Sequence, residues 1–235
     1  MSDARAAIAA VRACVRAAAL RAGRSPESVA LVGVAKRVAS ERVVAAIRAG
    51  LVHVGESYLQ EAMARRAEIA KRLAEAGSTA EPQWHFIGRL QTNKARAVAQ
   101  LFDVVHTLDR PGLGEALERH AADAGRTLDA LIQVNTSGEA QKGGVPPDAV
   151  AALLAASAGW PHLRVVGLMA IPAAADDPEQ VRPAFARLRA LRDSLRPDHP
   201  ALVELSIGMS ADFEVAIEEG ATIIRIGTAL FGPRE

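Results

Sequence analysis

The sequence holds a single cysteine, Cys14, so no disulfide can form within the chain. A lone cysteine in an alanine-rich helical stretch reads as a small packed residue, and the chain suits a reducing, cytoplasmic setting. Net charge is nearly absent as well: 28 lysines and arginines face 27 acidic residues, for a balance of +1. That balance offers no electrostatic footprint for nucleic acid or for an anionic membrane, and no apolar run reaches the roughly 18 residues of a membrane span. Arg12, Arg16 and Arg21 interrupt any apolar core of a secretory signal, while Asp3 and a regular helical period argue against a transit peptide. There is no Gly/Ser linker, no low-complexity block and no repeat finer than a strand-helix unit. The histidines and acids lack metal-ligand spacing, and the serines lack the setting of a nucleophile elbow. What remains is one domain over residues 1–235 that binds a small, neutral-to-anionic ligand through local charges.

What the sequence does have is an alternation. At 235 residues and 50% hydrophobic content the chain can bury a large core. After an opening helix that ends near Gly23, β-branched runs are expected as strands at Val29–Ala35, Val52–Val54, Trp84–Ile87, Val104–His106, Ala130–Val134, Val165–Leu168, Val203–Leu205 and Ile223–Ile226. Between them, apolar residues recur three and four positions apart over Glu41–Ala49, Tyr58–Glu75, Asn93–Gln100, Gly114–Ala124, Ala149–Ser157, Glu179–Leu195 and Asp212–Glu219. Turns are expected at Ala173–Pro178 and Arg196–Pro200. Several strands are continuous apolar runs, as in parallel strands covered on both faces. Eight such units favour a closed (β/α)8 barrel of the TIM type with an extra N-terminal helix; an open doubly wound sheet is the alternative.

In such a barrel the ligand sits at the C-terminal ends of the strands. Lys36 directly follows the first strand, where an amine is partly desolvated, as imine formation with an aldehyde requires; alone it could equally be a solvated rim charge beside Arg37. Ser206 to Ser210 closes the seventh strand and Arg225 to Thr228 the eighth. Barrels commonly bind phosphate at that place, with Ser210 and Thr228 supplying hydroxyls and Gly227 letting the backbone approach. Ser210 as a plain helix cap and Gly227 as relief of crowding are the simpler alternatives. His85, between Trp84 and Phe86, reads as a hydrogen-bonded core histidine, and Lys94 and Lys142 as loop charges.

Taken together, Val32 to Lys36, Gly55 to Glu61, Trp84 to Gly88 with Leu90 to Lys94, Gln133 to Ser137 with Lys142 to Gly144, Gly167 to Met169, Leu205 to Glu214 and Arg225 to Gly232 resemble the pyridoxal-phosphate homeostasis protein family. These are single-domain relatives of the alanine racemase N-terminal barrel. The resemblance implies pyridoxal 5'-phosphate (PLP) held as a Schiff base on Lys36, its phosphate held by Ser210, Gly227 and Thr228, and Arg225 facing the pyridine nitrogen. It also implies a role in vitamin B6 homeostasis without substantial turnover, with apo PLP-dependent enzymes as recipients. Members usually carry asparagine where Ser57 stands, histidine where Arg89 stands and serine where Thr92 stands; the shorter Ser57 reaches less far toward a cofactor ring. The alternative is a PLP-dependent amino-acid racemase, which needs an acid/base group on each face of the substrate. In the alanine racemases one of these is a tyrosine from a C-terminal β-domain that a chain of this length is not expected to hold, and the single tyrosine here is Tyr58.

Overall fold

The computed structural model describes residues 2–139, 143–173 and 175–232. The β-branched runs form eight parallel strands: β1 (Ala30–Val34), β2 (His53–Glu56), β3 (Gln83–Phe86), β4 (Val104–Leu108), β5 (Leu128–Gln133), β6 (Leu163–Met169), β7 (Glu204–Ser206) and β8 (Ile223–Ile226). They pair in sequence order, and β8 returns to β1, so the sheet is a closed barrel and not an open doubly wound one. The helices are α1 (Ser2–Arg21), α2 (Ser40–Arg48), α3 (Leu59–Glu75), α4 (Ala95–Leu101), α5 (Pro111–Asp123), α6 (Val150–Ser157), α7 (Arg182–Leu195), α8 (Phe213–Glu218) and α9 (Thr228–Phe231). Closure leaves no strand edge open to another chain.

Helix α1 precedes the first strand and adds to the barrel from outside. Its apolar positions Ile8, Val11, Val15, Ala18 and Ala19 are buried, and it packs on α2, α8 and α9. Its end follows from Gly23, whose φ of +66° suits a residue without Cβ; the Arg24 N–H turns back to donate to Ala19 O at 2.9 Å. Arg21 then pairs with Glu214 and Glu218 of α8, at 2.9 and 2.8 Å. Among the described residues, no helix is long and apolar enough to cross a membrane.

Element boundaries depart from the sequence reading where backbone chemistry, not periodicity, sets them. Helix α5 begins at Pro111, three residues before Gly114, because proline suits the first helical turn. Gly114 is tolerated inside it since a Cβ there would strike the Trp160 ring. Short 3-10 turns at Thr92–Lys94 and Pro178–Val181 lead into α4 and α7. Strand β7 starts one residue late, at Glu204, after an exposed Val203.

The core has two layers. The larger lies between strands and helices, and a small lumen core comprises Val32, Val104, Leu131, Met169 and Ile223. The lumen is not wholly apolar: His85, His106, Ser206 and Arg225 are all buried within the barrel.

Candidate functional site

At the C-terminal end of β1 the chain turns sharply. The Val38 N–H donates to Ala35 O at 3.0 Å, and Arg37 inside this turn has φ +56°, a left-handed conformation uncommon for a side-chain-bearing residue. Lys36, at the head of the turn, is half-buried, and its Nζ sits 4.8 Å from the centroid of the Tyr58 ring. The turn is anchored from below, since Arg65 of α3 donates both to the Ala35 carbonyl and to Glu56 Oε1, the latter at 3.0 Å. Glu56 itself is fully buried, and its Oε2 has no hydrogen-bond partner. Burial pushes this carboxyl up to about 7, outweighing the attraction of Arg65.

Beside this turn, the ends of β7 and β8 come together. Gly33 of β1 pairs with Ile226 of β8, and Gly227 follows with room at its α-carbon: a Cβ there would find nothing closer than Val34 Cβ at 3.7 Å. Gly227 opens α9, with Thr228 exposed on its first turn. Ser210 does not cap α8; Asp212 Oδ1 accepts the Met209 N–H at 2.6 Å, while the Ser210 hydroxyl accepts from Ala229 N–H at 3.5 Å. The β7 loop therefore reaches across to α9. Gly208, with φ +92° and its α-carbon against Ala216, makes the turn that allows it.

Arg225 lies beneath, 4% exposed. Its Nη1 donates to Ser206 O at 2.7 Å and to the Ser206 hydroxyl, and its Nη2 donates to Ala170 O at 3.0 Å. No carboxylate lies within ion-pair distance of it among the described residues; burial, only partly offset by the more distant charge of Asp212, draws its pKa down to about 10, so it stays charged at neutral pH. A guanidinium has five N–H donors. The three bonds leave Nε–H and one Nη2–H without a partner among the described residues.

The structure thus gathers Lys36, Ser210, Arg225, Gly227 and Thr228 at one rim, on β1, β7 and β8. Ser57 lies on the neighbouring β2 loop, half-buried, where its backbone carbonyl fills the space a Cβ at Gly88 would need. Lys94 and Arg89 are exposed, Thr92 accepts from Arg110 at 2.9 Å, and Lys142 lies outside the described residues. His85 is a hydrogen-bonded core histidine as expected, but its partners went unforeseen. His53 Nδ1 is 3.1 Å from His85 Nε2, His85 Nδ1 is 2.8 Å from His106 Nε2, and His106 Nδ1 is 2.9 Å from the Ser206 hydroxyl. The available signal was one histidine on each of three consecutive strands. Among the described residues, no group of His, Cys, Asp or Glu is placed to hold a metal ion.

Residues 7–235 match the family described as alanine racemase, N-terminal domain. The chain is 43% identical over 94% of its length to the pyridoxal phosphate homeostasis protein of Aquifex aeolicus, covering 94% of that protein. It is 44% identical over 97% of its length to the protein of the same name from Pseudomonas aeruginosa, again covering 94% of it. Among solved structures, PipY of Synechococcus elongatus with PLP bound superposes with a TM-score of 0.78 at 36% identity, over 93% of this chain and 99% of that one.

Proposed function

Because the chain belongs to the pyridoxal phosphate homeostasis protein family, built on the alanine racemase N-terminal fold, we propose that it is a cytoplasmic, monomeric PLP-binding protein. In this reading it stores the cofactor and hands it to apo-enzymes without substantial turnover. The observation that carries it is Arg225: a buried cation with no carboxylate partner and two N–H donors to spare is a poor device for stability. It suits an acceptor from outside the chain.

The rim fits this group. Ser210 and Thr228 bring hydroxyls and the uncrowded Gly227 brings backbone to one place, as a phosphate requires. Lys36 supplies the amine that bonds to the aldehyde carbon. Ser57 flanks the rim with a hydroxyl that has no hydrogen bond among the described residues, free to meet a ligand. When bound, PLP offers an aldehyde for capture and a ring that can accept electron density. Arg225 limits the second property, since an arginine donates to the pyridine nitrogen and cannot give it a full proton at neutral pH. Tyr58 supports holding over racemization: it packs against Lys36 itself, and a two-base reaction needs its second group on the face opposite the lysine.

Reductive trapping of PLP-loaded protein with borohydride, followed by peptide mass mapping, is expected to place the pyridoxyl group on Lys36. Label on Lys94 or Lys142 instead would move the site, and a protein that stays colourless in saturating PLP would end the reading. Incubation with L-alanine is expected to give no D-alanine at ordinary enzyme rates, about 1 per second or faster.

A further inference from the structure

The histidines beneath Arg225 rise through the barrel along a diagonal. His53 pairs with Gln83, two residues below His85, and His85 pairs with Val104, two residues below His106. From His106 the line crosses the lumen to Ser206, which pairs with Ile223, two residues below Arg225. The rings of His53 and His85, and of His85 and His106, meet edge to face with centroids 5.1 Å apart. The lower end, His53, opens on a crevice of about 1040 Å³ at the opposite end of the barrel, lined also by Arg12, Arg16, Glu204 and Thr222.

The direction of the bonds follows from the arginine. A guanidinium only donates, so the Ser206 oxygen accepts from Arg225 and its one hydrogen is left for His106 Nδ1. His106 then carries its proton on Nε2 and donates to His85 Nδ1. His85 in turn donates from Nε2 to His53 Nδ1. Every member is satisfied in this one arrangement; reversing it would turn two donors on Ser206 and strand its hydrogen. Burial holds His85 down to about 3 and His106 well below its ordinary value, and it also lowers His53, which Gln83 and Glu204 partly offset.

We propose that Ser206, His106, His85 and His53 are positioning residues for Arg225, a neutral hydrogen-bond chain of single polarity that fixes the guanidinium so that its spare N–H groups face the rim. The link to a bound ring nitrogen rests on the PLP reading, whereas the chain itself does not.

Two measurements keep these apart. Long-range proton–nitrogen correlation spectra of PLP-free protein carrying 15N-histidine, from pH 6 to 8, are expected to show His85 and His106 as neutral Nε2–H tautomers, with His106→Asn identifying its signal. An Nδ1–H tautomer or an imidazolium at either position overturns the proposal. In the same PLP-free protein the Arg225 guanidinium hydrogens are expected to exchange slowly with solvent, and faster in Ser206→Ala and His106→Leu; unchanged exchange in both variants also overturns it. With PLP, Ser206→Ala is expected to raise the dissociation constant about tenfold, the scale of one hydrogen bond to a charged group, and to shift the visible absorbance band. His106→Leu is expected to do the same, and His106→Asn, which retains an acceptor for the Ser206 hydroxyl, to stay closer to wild type in both. Wild-type protein that takes up no PLP defeats the cofactor reading, while the tautomer and exchange results still decide the chain.

Discussion

At Glu56, a carboxyl is enclosed between β2 and α3 with one oxygen bonded to Arg65 and the other without a hydrogen-bond partner. Burial outweighs the arginine, and the folded pKa of about 7 lies above the unfolded value of 4.5. The folded chain therefore holds a proton that the unfolded chain has already released, and stability falls as pH rises across that window and levels off above it. The full effect is roughly 1–3 kcal/mol. Glu56→Gln keeps an acceptor for Arg65 and removes the charge, so urea melts of the variant are expected to flatten between pH 5 and 8 and to gain stability at pH 8. A variant with the wild-type pH slope would show that another group sets it. Because Arg65 also holds the Ala35 carbonyl, the same carboxyl braces the turn that presents Lys36.

Among elements, the contact between the β2 and β3 loops is the tightest constraint near the rim. Gly88 has no tolerance for a side chain, since a Cβ would overlap the Ser57 carbonyl. Gly88→Ala is expected to cost at least about 2 kcal/mol in thermal or urea unfolding and to spread the loops that flank the rim. A variant of wild-type stability would mean the loops part without strain. The elements themselves were legible in the sequence because each strand is a short β-branched run and each helix keeps its period. Lys36, Gly227 and Thr228 stand out in the sequence because they follow such a run at once, Ser210 because it closes the glycine-containing segment beyond the seventh, whereas Arg225, inside the eighth, is marked only by the family resemblance. Two things were not legible. A helix start set by proline, as at Pro111, carries no apolar signal, and a glycine matched to a distant ring, as Gly114 is to Trp160, reads only as a helix breaker. The histidine diagonal is hidden in the sequence for a different reason. A single histidine in a strand has no meaning until the register tells which residue of the next strand lies beside it.

For the whole molecule, the stitching around the barrel is uneven. Strands β5 and β6 pair from Leu128 with Leu163 through Gln133 with Met169, whereas β7 and β8 share one register pair, Ser206 with Ile223, flanked by the N–H groups of Thr222, Ile207 and Arg225 donating to Leu205, Ile223 and Gly208 carbonyls at 3.0 to 3.1 Å. This short seam carries Ser210 and Arg225 at its upper end. Amide hydrogen exchange is expected to begin at β7, β8 and α9 and to reach β5 and β6 last. Added PLP is expected to slow exchange most at Gly227 and Ala229. Uniform exchange around the ring, unaltered by PLP, would separate the seam from the ligand.

The diagonal of histidines has a consequence for how the barrel closes. Strand tilt is set by a whole-number stagger around the ring, and a slip of one residue exchanges inside for outside along an entire strand. If β3 mispaired by one position, Trp84 or Phe86 would enter the lumen and His85 would be stranded among the helices, leaving His53 Nδ1 and His106 Nε2 without their partner on β3. A misthreaded barrel thus forfeits several hydrogen bonds at once, and the imidazole line serves as a checksum that only the correctly wound ring satisfies.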